Sequence, residues 1–188
     1  PRAKERGIFF SLEFSGPLPE TLATDGARLR QAIINLIGNA IKFTEQGGVR
    51  VIASFVPKDE KGQPAIRIDV VDTGIGISED ILPRLFQAFS QGDASVTRKY
   101  GGTGLGLTIS HHIARLLGGD VTVKSELGHG STFTLVVPTG DLEGVPILQS
   151  PSELTREDHA KNWVSEVTSL TGVRILLAED GIDNRELI

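Results

Sequence analysis

The residues in this chain best suited to chemistry are side-chain amides, one inward-aimed carboxylate and a run of glycines. Gly101, Gly102, Gly104 and Gly106 place four glycines in six positions, directly before the apolar stretch "LTIS". A glycine tract opening a helix offers free backbone N–H groups and a positive helix end to an anion. Two familiar phosphate loops fail on spacing. A Walker A loop needs Lys and Ser/Thr straight after its last glycine, whereas Gly106 is followed by Leu107 and Thr108. A dinucleotide fingerprint needs glycines at i, i+2 and i+5 directly after a strand, and here a polar run, "QGDASVTRKY", comes first.

The second group lies on the segment "RQAIINLIGNAIKFT", residues 30–44. At 100° per residue, Leu29, Ile33, Leu36, Ile37 and Ala40 share one helix face and are expected to pack on a sheet. Gln31, Asn35, Asn39 and Lys42 form a separate stripe flanked by Ile34 and Ile41. Asparagine is a poor helix former, and buried unpaired amides are costly, so two of them one turn apart call for partners. An amide carbonyl is a good ligand for a hard cation. Mg²⁺ takes only one or two protein oxygens and completes its shell with water and phosphate. Lys42 could meet that phosphate as a point charge.

The carboxylate is Asp72. In "IRIDVVDTGIGI", Ile66, Ile68 and Val70 share a strand face, and alternation aims Asp72 the same way, inward. Such a carboxylate needs donors, and the exocyclic amine of adenine is one. Gly74 and Gly76 would let a flat base approach the backbone. Asp-Thr-Gly also occurs in aspartic proteases, but those share one proton between two such carboxylates, and only one is present here.

These groups must be positioned by regular elements. Strands are expected at 8–14, 47–55 and 65–72, with a hairpin over 120–138 turning at Gly128–Gly130. Thr24 or Asp25 can cap a helix running from about Ala27 to Phe43. A short helix interrupted by Pro83 is expected over 79–89, and another runs from about Leu105 to Leu117, stopped by Gly118-Gly119.

Asn35…Asn39-Ala40…Lys42-Phe43, then Asp72-Thr73-Gly74-Ile75-Gly76-Ile77, then Phe86…Phe89, then Gly101-Gly102-Thr103-Gly104-Leu105-Gly106-Leu107 occur in a fixed order. Together they resemble the N, G1, F and G2 boxes of the ATP-binding catalytic domain of sensor histidine kinases, over roughly residues 7–138. The resemblance implies an α+β fold: a two-layer sandwich with helices on one face of a mixed, mostly antiparallel sheet. It implies ATP and Mg²⁺ as cofactors. Asp72 would take the adenine amine, helped by Thr132, with Phe43, Gly74, Gly76 and Ile77 around the base. Asn39 and Asn35 would hold Mg²⁺ against the triphosphate, and Lys42 would touch phosphate. Residues 90–106 would form a mobile lid anchored by Phe86 and Phe89. Gly102, Thr103, Gly104, Leu105 and Gly106 of the lid, and Leu107 just past it, would meet the nucleotide, with added charge from Arg98 and Lys99.

The reaction implied is transfer of the γ-phosphoryl to a histidine on a separate dimerisation domain, with Gln31 and Asn35 as the residues nearest the chemistry. No "His-Glu-x-x-x-Pro"-like segment is present, and His111, His112, His129 and His159 read as structural or incidental. A gyrase- or MutL-type ATPase and a degenerate nucleotide-regulated module are the rival readings.

Residues 139–171 read as a linker. The tail "VRILLAEDGIDNRELI", within 172–188, resembles the start of a receiver domain, in which Glu179 and Asp180 would be the acidic Mg²⁺ pair. The implied parent is a homodimeric hybrid kinase. The 188-residue chain carries a net charge of −5, which argues against nucleic-acid partners. It has no cysteine, hence no disulfide or thiol chemistry, and we expect a cytoplasmic protein. It contains no methionine and begins at Pro1, which reads as a segment of something longer.

Overall fold

The computed structural model describes residues 2–87 and 105–149. All of them belong to one compact unit, Pro1–Glu153. A five-stranded sheet runs in the order β1-β3-β4-β6-β5. Its strands are β1 (Phe9–Ser15), β3 (Gly48–Val56), β4 (Ala65–Asp72), β5 (Asp120–Glu126) and β6 (Gly130–Pro138). The β1–β3 pair is parallel and the others antiparallel, as a mixed, mostly antiparallel sheet requires. Helices α2 (Gly26–Phe43) and α3 (Gly106–Leu116) pack on it, and α1 (Arg2–Glu5) is a single turn before β1.

The alternation of β4 decides which face is covered. Ile66, Ile68 and Val70 are buried, and across the register Phe133, Leu135 and Val137 of β6 are buried with them. The helices answer with Leu29, Ala32, Leu36 and Ala40 from α2 and Ile113 and Ala114 from α3. Leu36 is fully buried; removing one such side chain from water contributes about 2 kcal/mol.

Local chemistry sets the ends. Asp25 caps α2, its carboxylate accepting from the Arg28 N–H at 3.0 Å. Gly118, at φ 82°, turns the chain after α3. The helix expected over 79–89 is reduced, among its described residues, to one 3₁₀ turn, Leu82–Arg84, with Pro83 in its first turn. Pro83 has no N–H to donate and disfavours the helical conformation in the residue before it.

Residues 139–149, the first part of the expected linker, fold against the domain. Thr139 is buried, and its carbonyl accepts from the Ala23 N–H at 2.8 Å. Further along, β7 (Ile147–Leu148) pairs antiparallel with β2 (Leu18–Pro19). No helix among the described residues is long and apolar enough to cross a membrane.

Candidate nucleotide site

Asp72 ends β4 on the core face and is buried. Its Oδ1 accepts from the Gly74 N–H at 2.8 Å. Burial pushes its carboxyl above the ordinary carboxylate value, and hydrogen bonds from the Gly74 and Ser131 backbone partly offset that rise.

The loop after Asp72 is clasped from two sides. The Phe43 carbonyl at the end of α2 accepts from the Ile75 N–H at 3.2 Å. On the other side the Ile75 carbonyl accepts from the Gly128 N–H at 2.8 Å, and Ser125 Oγ accepts from the Ile77 N–H at 2.8 Å. A side chain at Gly74 would press on the Phe43 carbonyl and on Asp72 Oδ1. At Gly76, whose φ is 66°, a side chain would meet the Glu126 carbonyl. The glycines are therefore needed for close approach of the protein's own backbone.

Thr132 does not stand where the resemblance put it. It pairs with Val71, not Asp72, and strand alternation turns it to the opposite face of the sheet. Ser131 is the residue across from Asp72, and its hydroxyl lies 2.9 Å from Ser125 Oγ. The signal was available: counting back by two from the apolar Phe133 reaches position 131.

The amide stripe lines one groove of about 970 Å³, with Gln31, Asn35, Asn39 and Lys42 all in its wall. Asn35 Nδ2 donates to Ser110 Oγ at 2.7 Å, and Ser110 is fully buried. A side chain at Gly106 would come within 2.7 Å of Asn35 Oδ1. Helices α2 and α3 thus meet through Asn35, Gly106 and Ser110, and Ser110 was not singled out from sequence. Ser110→Ala leaves the Asn35 amide without its acceptor, and we expect a loss of about 1–2 kcal/mol in stability by chemical denaturation. Lys42 Nζ lies 5.0 Å above the Phe43 ring.

Asp72 is not part of the groove wall. The link between the two is the last turn of α2, which carries Asn39 and Lys42 toward the groove and Phe43 toward the Asp72 loop. Among the described residues no cluster of three His, Asp or Glu could cage a metal by itself. Two neutral amide oxygens beside a lysine suit a cation that brings phosphate and water with it, so the donor set fits Mg²⁺ carried on a nucleotide.

Phe86 stacks on His111, ring centroids 4.8 Å apart, and His111 Nε2 lies 3.0 Å from Asp120 Oδ1. That histidine is structural: it ties the segment after the 3₁₀ turn to β5. Phe89, Arg98, Lys99, Gly102, Thr103 and Gly104, with most of the expected lid, lie outside the described residues, as do His159, Glu179 and Asp180.

A mixed sheet under two helices, with a buried strand-end carboxylate and an amide row on the neighbouring helix, defines a nucleotide-binding sandwich. Residues 24–141 match the model of the histidine kinase-, DNA gyrase B- and HSP90-like ATPases, and the chain belongs to that family. It is an ATP-binding catalytic domain of the histidine-kinase type. The chain is 34% identical to the sensory/regulatory protein RpfC of Xanthomonas campestris pv. campestris over 206 residues, covering 100% of this chain and 28% of that protein. It is 37% identical to the autoinducer 2 sensor kinase/phosphatase LuxQ of Vibrio vulnificus over 184 residues, covering 98% of this chain and 20% of that protein. It spans less than a third of either relative. Full-length ShkA, solved in complex with AMPPNP, superposes with a TM-score of 0.62 at 39% identity, covering 80% of this chain and 28% of that one.

Proposed function

We propose that the domain binds Mg-ATP and presents the γ-phosphoryl to a histidine on a separate helical domain. One observation carries the reading: the last turns of α2 bear the amide row on the groove while the α2 terminus is fastened to the Asp72 loop. One nucleotide can then span both. Asp72 accepts from the adenine amine, with Ser131 beside it. Asn39 and Asn35 offer their amide oxygens to the metal, and Lys42 faces phosphate. Mg²⁺, when bound, neutralises charge on the phosphates.

Phosphoryl transfer asks for positioning and charge neutralisation more than covalent help from the protein. The incoming imidazole nitrogen forms a bond to the γ-phosphorus as the bond to the β–γ bridging oxygen breaks, and ADP leaves with the electron pair. Gln31, in the groove wall one turn before Asn35, contacts the imidazole in this reading. In this reading the domain works on the cytoplasmic side, where ATP is plentiful. The parent is a homodimeric hybrid kinase whose phosphoacceptor domain and receiver domain are its partners, with Glu179 and Asp180 the receiver's Mg²⁺ pair.

Asn39→Ala tests the reading by calorimetry. Mg-ATP affinity is expected to fall about ten- to a hundredfold, a loss that even outer-sphere partners of a metal produce. Affinity measured without Mg²⁺ should change much less. Equal Mg-ATP affinity in wild type and variant would remove Asn39 from the site. Phosphohistidine is expected only when a matching phosphoacceptor domain is added.

A further inference from the structure

Arg6 sits between α1 and β1, far in sequence from the amide helix, yet it reaches the end of that helix. Its Nη1 donates to the carbonyls of Ile41 at 2.9 Å and Lys42 at 2.8 Å. These belong to the last turn of α2, where no further helical N–H is available to them. The turn carrying Arg6 is anchored on both sides. Ala3 and Ile8 are buried in the core, and the Ile8 N–H donates to the Ala3 carbonyl at 3.1 Å. Arg6 also lines the groove beside Lys42, with the oppositely charged Glu5 next to it.

The groove lies at an awkward end of α2 for an anion. Asn35, Asn39 and Lys42 stand on the C-terminal half of the helix, where aligned peptide dipoles sum to about half a negative charge. A triphosphate seated there is repelled by the helix that offers it amides. A guanidinium on those carbonyls opposes the repulsion and holds the turn from which Lys42 projects. We propose that Arg6 is a positioning residue for the phosphate end of the nucleotide, acting through the carbonyl end of α2. The proposal rests on the ATP reading above.

The test uses the whole 188-residue chain and two ligands, Mg-ATP and adenosine, titrated at low and high salt. Arg6→Gln keeps a side-chain amide able to donate to the carbonyls but removes the charge. Mg-ATP affinity is expected to fall about three- to tenfold at low salt, the scale of a charge at a helix end, while adenosine affinity stays within about twofold. The difference from wild type should shrink at high salt, because exposed charges are screened. Arg6→Lys should retain most of the affinity for Mg-ATP. Equal losses for both ligands would make Arg6 a plain structural cap and overturn the proposal. Unchanged Mg-ATP affinity in Arg6→Gln, with wild type binding normally, would overturn it as well. If wild type itself does not bind Mg-ATP, the functional reading fails, and this inference with it.

Discussion

Replacing Asp72 by asparagine is expected to cost about a hundredfold in ATP affinity, the value of a buried charge-assisted hydrogen bond. The shape of the site survives the change, because the Asn carbonyl oxygen can still accept from the Gly74 N–H that Asp72 now engages. What changes is polarity: the second carboxylate oxygen becomes an amide NH2 group and meets the adenine amine donor to donor. Inosine triphosphate separates this account from a general loss of fold, since its base carries a carbonyl where adenine carries the amine. Wild type should reject it, and Asp72→Asn should narrow or invert the preference. An unchanged ATP-to-ITP ratio would mean that Asp72 does not read the base.

The same carboxylate predicts two opposite pH trends. Burial raises its pKa above 3.8 in the folded chain. The folded state therefore binds that proton more tightly than the unfolded state does. Asp72's contribution to stability falls as pH rises from the unfolded value through the raised folded one. The unliganded Asp72→Asn variant should melt above wild type at neutral pH, with the gap closing in acid. ATP affinity of wild type moves the other way, declining as pH falls through the raised pKa and the acceptor is protonated. A variant that is more stable yet binds less identifies Asp72 as a group kept for its ligand at the expense of the fold.

How far the site was legible in the sequence depends on the range of the contacts. Asp72 was found because a strand repeats every two residues and β4 is covered on one face. The stripe from Gln31 to Lys42 was found because α2 runs 18 residues without a break and its period cannot slip. Ser131 was missed by one position, and in a strand one position is the whole difference between faces. Ser110 and Arg6 were missed for another reason. Each is defined by a partner 75 or 35 residues away, and no local pattern marks either of them. The β2–β7 pair escaped because strands of two residues have no period to read. Thr139 to Gln149 looked like a linker because its composition is that of a loop, although backbone hydrogen bonds hold it.

Gly76→Ala is expected to be among the most destabilising single substitutions in the domain. Two costs combine there. Gly76 holds φ at 66°, which an L-residue adopts only at a penalty of about 1–2 kcal/mol. The added carbon also points at the Glu126 carbonyl, a backbone atom of the hairpin that has no rotamer by which to withdraw. Relief requires moving the loop away from β5, and forced backbone shifts cost about 1–3 kcal/mol. The sum is about 3 kcal/mol, or roughly 10 °C in Tm for a domain of this size. The displaced loop carries the Ile77 N–H bonded to Ser125 and the Ile75 carbonyl bonded to Gly128, so those bonds weaken with it. The comparison is Gly128→Ala in the same hairpin, which also has a positive φ but open space around it. It should show the conformational penalty alone, about half the loss. Equal melting temperatures for the two variants would mean that the close approach to Glu126 contributes nothing, and that the geometry of the Asp72 loop rests on conformation only.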